Sequence, residues 1–399
     1  MSSKPSNWVY ALPTALLLMA PFDILASLAM DIYLPVVPAM PVHLDTSAAT
    51  VQLTLSLYMV MLGLGQIIFG PVSDRIGRRP VLIGGAILFA GASFCLAACA
   101  SGVPFVVLRF LQAAGASAAL VATFATVRDV YAERPEGVVI YGLFSSMLAF
   151  VPALGPIAGA LIAERFGWRA IFVTLGVLAA AAMLHALLRW HETRPPAAAT
   201  ARRSFLPVLR SLAFWTHTLG FSAAMGTFFV FFSTAPRVLI DRAGYSELQF
   251  SFAFATIAAV MILTTRFAKR FVGLWGNAGS LARGMAMLLL GAMLLGLGQT
   301  FATPSLWTFV VPMWVSAVGI VFTVSVTANG ALEKFGEMAG SAVALYFCVQ
   351  SLIGSIGGTV AVIWLQGDTA WPLVAFSWAM AVIVLIAQCW LRYWERMRG

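Results

Sequence analysis

The sequence predicts an all-α integral membrane protein: twelve transmembrane helices in two six-helix bundles, with both termini cytoplasmic. Three observations carry this. The chain has 399 residues, 61% hydrophobic and 10% charged, whereas a soluble domain carries roughly 25% charged residues. It cannot be solvated on all sides. Its apolar residues fall into twelve stretches, each near the ~20 residues that cross a bilayer. Its lysines and arginines are also one-sided. With the N-terminus inside, nineteen of the 24 lie on the cytoplasmic side, four (Arg165, Arg169, Arg237, Arg242) lie outside, and Arg109 falls within a span. Such an excess marks the cytoplasmic face, and losing one span would scramble the alternation. The net charge of +9 is therefore an orientation signal and not a nucleic-acid footprint.

The first apolar stretch runs over 9–40. Lys4 ahead of it gives it the look of a signal peptide, but its length and the eleven spans that follow make it a first transmembrane helix. The first half continues with spans at 47–72, 80–101, 103–127, 137–163 and 168–190. A polar stretch from His191 to Ser211 follows, with Pro195-Pro196, an alanine run and Arg202-Arg203. It reads as a cytoplasmic linker over 191–211, between bundles at 1–190 and 212–399. The second half places spans at 212–236, 246–268, 280–299, 304–328, 338–364 and 370–391. Cys95, Cys99, Cys348 and Cys389 all fall inside spans, where neither a disulfide framework nor metal spacing is present; they read as small packing residues. Gly84-Gly85 lies within a span and lacks a following Lys-Ser or Lys-Thr, so it is no phosphate cradle. No ATP site, metal, cofactor or enzymatic chemistry is expected. His185 and His217 sit near span ends and read as interfacial.

Among Asp, Glu, Lys and Arg, only Asp23, Asp31 and Arg109 lie well inside the spans. An ionisable residue at that depth is costly and marks function by default. At ~1.5 Å and ~100° per residue, Asp23 and Asp31 stand about 12 Å apart along one helix and about 80° apart around it. Both can face one cavity at different depths, Asp31 nearer the periplasm and level with Arg109. Low dielectric and a neighbouring guanidinium act on a carboxylate in opposite senses. Asp31 is accordingly expected to be the principal proton carrier, with Arg109 tuning it. Asp23 is expected in substrate binding or a second protonation step. The competing reading is a static ion pair joining the first and fourth helices.

The loop Gly70-Pro71-Val72-Ser73-Asp74-Arg75-Ile76-Gly77-Arg78-Arg79-Pro80 is the strongest local signal. Gly70 and Gly77 permit a tight turn, Asp74 can pair with an arginine or face a helix N-terminus, and Arg75, Arg78 and Arg79 anchor the loop. A charge-locked loop of this kind can serve as a bistable element. It resembles, without departure, the Gly-x-x-x-Asp-Arg-x-Gly-Arg-Arg signature of major facilitator transporters. Leu108-Arg109-Phe110-Leu111-Gln112-Ala113-Ala114-Gly115 resembles their fourth-helix motif, with Ala113 in place of a glycine. Pro152-Ala153-Leu154-Gly155-Pro156-Ile157-Ala158-Gly159-Ala160 resembles the antiporter motif of the fifth helix, with Ala160 in place of its last glycine. In the family that helix packs against the eighth and helps to seal the transporter; ordinary packing of small residues is the plainer reading. The eighth span is followed by Arg266-Phe-Ala-Lys-Arg270, a weak echo of the first-half loop without its glycine–aspartate frame.

Segments 19–41, 118–161, 220–240, 251–268 and 319–333 are similar to the phenicol exporters, the florfenicol and chloramphenicol efflux proteins. The most specific parts are Pro21–Pro35, with both aspartates, and Ala122-Thr-Phe-Ala-Thr-Val-Arg-Asp-Val-Tyr131. The resemblance implies a major facilitator fold in the inner membrane, monomeric and surrounded by lipid. Two bundles rocking about a central cavity would export drug in exchange for protons, without nucleic acid or ATP. A broader multidrug or metabolite/proton antiporter of the same superfamily is the alternative. A phenicol is compact, aromatic and uncharged, so its pocket should be mostly apolar with a few polar groups. Tyr33, Gln52, Tyr58, Phe144 and Met147 in the first half are candidates, with Phe228 among the phenylalanines of the seventh span, and Asn329, Tyr346 and Gln350.

Overall fold

The computed structural model describes residues 8, 10–131, 134–194, 206–333, 335 and 339–398. Among these the chain is helical, with no strand. Ten helices are long and apolar enough to cross a membrane. The chain divides into two compact units, Met1–Ala201 and Arg202–Gly399. Of the linker expected over 191–211, residues 195–205 lie outside the described residues.

The first unit holds α1 (Leu12–Asp31), α2 (Ala48–Ile76), α3 (Arg78–Ala98), α4 (Gly102–Tyr131), α5 (Pro135–Phe166) and α6 (Trp168–Arg189). The first stretch is not one helix to residue 40. Regular α-helix ends at Asp31, and a 3₁₀ turn over Leu34–Ala39 and a short turn over Met40–His43 complete it. Pro35, Pro38 and Pro41 remove backbone donors there and disfavour helical geometry in the residues before them. Ser47 starts α2 by accepting the N–H of Thr50 at 3.1 Å, which satisfies one of the unpaired donors of a first turn. Helix α4 packs between α2 and α3, α3 also packs on α6, and α1 lies against α4, α5 and α6.

The second unit holds α7 (Leu212–Pro236), α8 (Glu247–Phe301), α9 (Val311–Leu332), α10 (Ala339–Leu352) and α11 (Trp371–Arg398). A wide turn over Ile353–Gly357 carries α10 into Gly358–Trp364. The spans expected at 246–268 and 280–299 are joined without a loop. Helix α8 runs through both, with its one break at Gly276, where φ is 67°. A capping box between Ser246 and Gln249 begins it.

The break exposes an internal repeat that the sequence shows only faintly. Gly77, between α2 and α3, also has a positive φ, 111°, a region where glycine has no steric penalty. Eight residues after Gly77 comes Gly85, and eight after Gly276 comes Gly284. A Cβ on Gly85 would stand 2.7 Å from the carbonyl oxygen of Gly115 in α4; one on Gly284 would stand 2.9 Å from that of Gly319 in α9. Both units thus use a glycine-to-glycine backbone approach, the device by which helices pack closely in lipid. A Cβ on the neighbouring Gly84 would meet nothing within 4 Å. Of the Gly84-Gly85 pair, one residue is a packing glycine and the other is not.

Candidate functional site

Asp31 is the last residue of α1, and it and Asp23 are buried, 4% and 2% exposed. What lies on Asp31 is α5. A Cβ on Gly155 would stand 2.7 Å from the Cβ of Asp31, and one on Gly159 would collide with the carbonyl of Ile32. Within this unit, the small residues of the Pro152–Gly159 segment therefore seat the end of α1, with Pro152 half-buried and Pro156 buried beside them.

Arg109 forms no ion pair with Asp31: the ion pairs among the described residues involve Arg78, Arg128 and Arg242. The fully buried guanidinium donates from Nη1 to the carbonyl of Ala29 (3.0 Å) and to Gln112 Oε1 (2.6 Å). Gln112 donates in turn to Ser93 Oγ at 2.8 Å. The cation lies 4.6 Å from the ring centre of Tyr58 and 5.0 Å from that of Tyr33, with Phe172 at 6.0 Å. Two aromatic faces and a carbonyl replace part of the hydration an arginine loses on burial. Its Nε and Nη2 keep no hydrogen-bond partner among the described residues. Tyr58 donates to the carbonyl of Ala26 at 2.8 Å. Arg109 and Tyr58 thus both bond to the backbone of α1 within two turns of Asp31.

The structure therefore gathers Arg109, Gln112, Tyr33 and Tyr58 into one cluster at the end of α1, with Asp31, Gly155 and Gly159 at the same end. Asp23 is buried about two turns earlier in α1, with Oδ2 unpartnered. Gln52 is buried and bonds to Ser56 at 3.4 Å. Phe144 is buried against the edge of Phe124, and Met147 is half-buried. In the second unit Tyr346 is buried, stacks on Phe221 with ring centres 4.6 Å apart, and donates to Thr327 Oγ1 at 2.9 Å. Phe228 is half-buried against Phe254, Gln350 is buried with Nε2 unpartnered, and Asn329 is exposed.

Around the 70–80 loop the structure adds residues that the sequence did not single out. Arg78 bonds at once to Asp74 (2.5 Å), Asp129 of α4 (2.8 Å) and Ser73 Oγ (2.8 Å). Asp129 lies in the quoted Ala122–Tyr131 segment; its polar pair Arg128-Asp129 at a span end was the available signal. Glu192, three residues past α6, caps α3. It accepts the backbone N–H groups of Arg78 (2.8 Å), Arg79 (3.2 Å), Thr193 (3.0 Å) and Arg194 (2.9 Å). A Cβ on Gly77 would stand 2.9 Å from the carboxyl carbon of Glu192, so Gly77 is required by space as well as by φ. Arg79 donates to the Leu187 carbonyl at 2.9 Å, and Arg194 to that of Arg75. The Gly70 carbonyl accepts from Ser73 Oγ at 3.0 Å, and a Cβ on Gly70 would meet nothing within 4 Å.

Burial pushes the Glu192 carboxyl up, but its backbone donors outweigh this and hold it below the usual range, about 4.3. A depressed carboxylate stabilises the fold above its unfolded pKa and loses that contribution as pH falls through the folded value. Glu192→Ala is expected to cost about 1 kcal/mol, since the group is part-exposed and its bonds are screened. The check is the melting midpoint of purified protein: the difference from wild type should be present at pH 7 and should shrink as pH falls below about 4.

Buried charge within apolar helices, a charge-locked loop and two helical units define a polytopic membrane protein of the transporter kind. Residues 22–358 match the profile of the Major Facilitator Superfamily, and the chain belongs to that family. It is 50% identical over 392 residues to a chloramphenicol resistance protein of Pseudomonas aeruginosa, covering 98% of this chain and 93% of that one. It is 28% identical to the multidrug resistance protein MdtL of Shigella dysenteriae, covering 90% and 88%. Among solved structures, a transporter of the POT family in complex with a thioalcohol-conjugated peptide superposes with a TM-score of 0.76 at 14% identity, over 96% of each chain.

Proposed function

We propose that this protein is a proton-coupled exporter of phenicol antibiotics, chloramphenicol and florfenicol, working by alternating access in the inner membrane. The observation that carries the substrate class is the 50% identity, over nearly the whole chain, to a chloramphenicol resistance protein. Asp31 is the proton carrier. Arg109 acts on it through the backbone of α1, which its guanidinium holds, and not through a direct ion pair. Asp23 serves substrate binding or a second protonation step. Tyr33, Gln52, Tyr58, Phe144, Met147, Phe228, Asn329, Tyr346 and Gln350 contribute to drug binding. The Gly70–Arg79 loop, with Gln112, Gly115 and the Pro152–Gly159 segment, governs the conformational change. Drug is neutral and the proton is charged, so export moves net charge and responds to both voltage and pH gradient.

A topology of twelve spans with both termini cytoplasmic belongs to this reading, as do bundles at 1–190 and 212–399 with a linker between. Its supports are the ten apolar helices, the break that divides α8 at Gly276, the additional helix Pro135–Phe166 and the one-sided lysines and arginines.

The test uses purified protein in liposomes with an internal pH dye and no imposed gradient. Florfenicol added outside should drive proton movement in wild type. Absence of drug-dependent flux from folded protein would reject phenicol as substrate. The likeness to MdtL favours a second reading, a broader multidrug/proton antiporter, which comparable flux with several unrelated drugs would establish. Tyr346→Ala is expected to raise the apparent KM for chloramphenicol roughly 10-fold, the scale of one lost aromatic contact and hydrogen bond. An unchanged KM would remove Tyr346 from the pocket.

A further inference from the structure

Two cations at the start of α3 in the first unit are partnered internally. Arg78 is held by Asp74 and Asp129, and Arg79 by a carbonyl. The corresponding cations of the second unit are not. Arg266, Lys269 and Arg270 are exposed and take part in no ion pair among the described residues. The chain has no aspartate or glutamate between Glu247 and Glu333.

The part of α8 before Gly276 spans 247–275. At ~1.5 Å per residue it is about 43 Å long, well beyond the roughly 30 Å of hydrocarbon in a bilayer. Its last turns therefore stand at the headgroup level. At ~100° per residue they present three stripes. Arg266, Lys269 and Arg270 form the first. Phe267, Phe271 and Leu274 form the second: Phe267 and Leu274 are 57% and 69% exposed, while Phe271, at 36%, also packs its ring against Trp275 and Phe322. Ala268 and Trp275 form the third, packed on Phe322 of α9, where the Trp275 and Phe322 ring centres are 5.0 Å apart. Beyond Gly276, Arg283 lies over Trp275 at 4.8 Å and adds a fourth cation.

We propose that this end of α8 binds an anionic phospholipid, its phosphate on Arg266, Lys269 and Arg270 and its acyl chains along Phe267, Phe271 and Leu274. Unpaired cations beside an exposed apolar stripe complement a charged headgroup joined to hydrocarbon. A free anion would use only the first stripe. Because the cations take part in no ion pair among the described residues, their removal is expected to leave the fold intact.

The experiment places full-length protein in phosphatidylcholine nanodiscs and measures the motionally restricted fraction of spin-labelled phosphatidylglycerol against spin-labelled phosphatidylcholine. Wild type should select phosphatidylglycerol several-fold. The variant Arg266→Gln/Lys269→Gln/Arg270→Gln should lose most of that selectivity. The variant Arg189→Gln/Arg392→Gln/Arg396→Gln, with the same loss of charge elsewhere, should keep it. Gel filtration confirms that each variant is folded, and Phe267→Ser/Leu274→Ser, which leaves every charge in place, should also weaken selection. Undiminished selection in the first variant, or equal loss in both charge variants, would overturn the proposal. Displacement of the lipid by inorganic phosphate alone would show an anion site and overturn it as a lipid site.

Discussion

Drug-driven proton flux is expected to fall at least ~100-fold in Asp31→Asn, the scale for removing a positioned proton-transfer group, while expression and melting behaviour should stay near wild type. The amide has the shape of the acid but no titratable proton. Asp31 takes part in no ion pair among the described residues, so the substitution strands no buried counter-charge. Arg109 is held by Ala29, Gln112 and two tyrosine rings and keeps those partners. A structural role for Asp31 would show as loss of folded protein; a transport role shows as loss of flux alone. Asp31→Glu should retain part of the flux, because it keeps the proton. Its longer side chain must clear Gly155, whose Cα faces the Asp31 Cβ closely, so full activity is not expected. Active drug export by Asp31→Asn at the wild-type rate would remove Asp31 from the coupling.

Gly115→Leu is expected to abolish recovery of folded protein. A Cβ there would stand 2.5 Å from the backbone nitrogen of Phe89 and 2.6 Å from the carbonyl oxygen of Gly85. Those atoms are backbone within a helix and cannot swing aside, so α3 and α4 must separate. Overpacking a core costs about 1–3 kcal/mol where neighbours can adjust, and more where they cannot. Helix association in lipid rests on close van der Waals packing, so the separated pair gains nothing in return. Gly319→Leu should act alike in the second unit, since its Cβ would stand 2.7 Å from the Gly284 carbonyl oxygen. Gly84→Leu and Gly91→Leu are the controls: both positions have nothing within 4 Å, and each should change stability by no more than about 0.5 kcal/mol. The measurement is the yield of monodisperse protein on gel filtration with its melting midpoint. Normal yield of Gly115→Leu would show that the helix pair can part without cost.

Much of this was legible in the chain, for identifiable reasons. A span is a local property, since the transfer free energy of about twenty consecutive side chains decides it. A buried charge such as Asp31 or Arg109 is conspicuous because it contradicts its neighbours. The glycine–aspartate–arginine loop is legible because its turn needs Gly77 at a fixed place. The partners of these groups were not legible. Arg109 and Ala29 are 80 residues apart, and Glu192 and Arg78 are 114 apart. Glu192 lay in a polar stretch that composition alone reads as linker. That α8 continues from its first span to Gly276 was hidden as well, because 266–275 is charged enough to resemble a loop and helical enough to extend the span.

By itself the sequence determined that this chain lies in a membrane, where its apolar segments fall, and that three ionisable side chains are embedded in them. Hydropathy and charge are summed along the chain and need no knowledge of what packs on what. Only the tertiary structure decided that Arg109 is held by aromatic rings and α1 carbonyls and not by Asp31, that Gly155 and Gly159 seat the end of α1, and that Glu192 caps α3. These choices rest on backbone approach and hydrogen-bond geometry between segments distant in sequence, and many pairings of the same residues satisfy the same hydropathy.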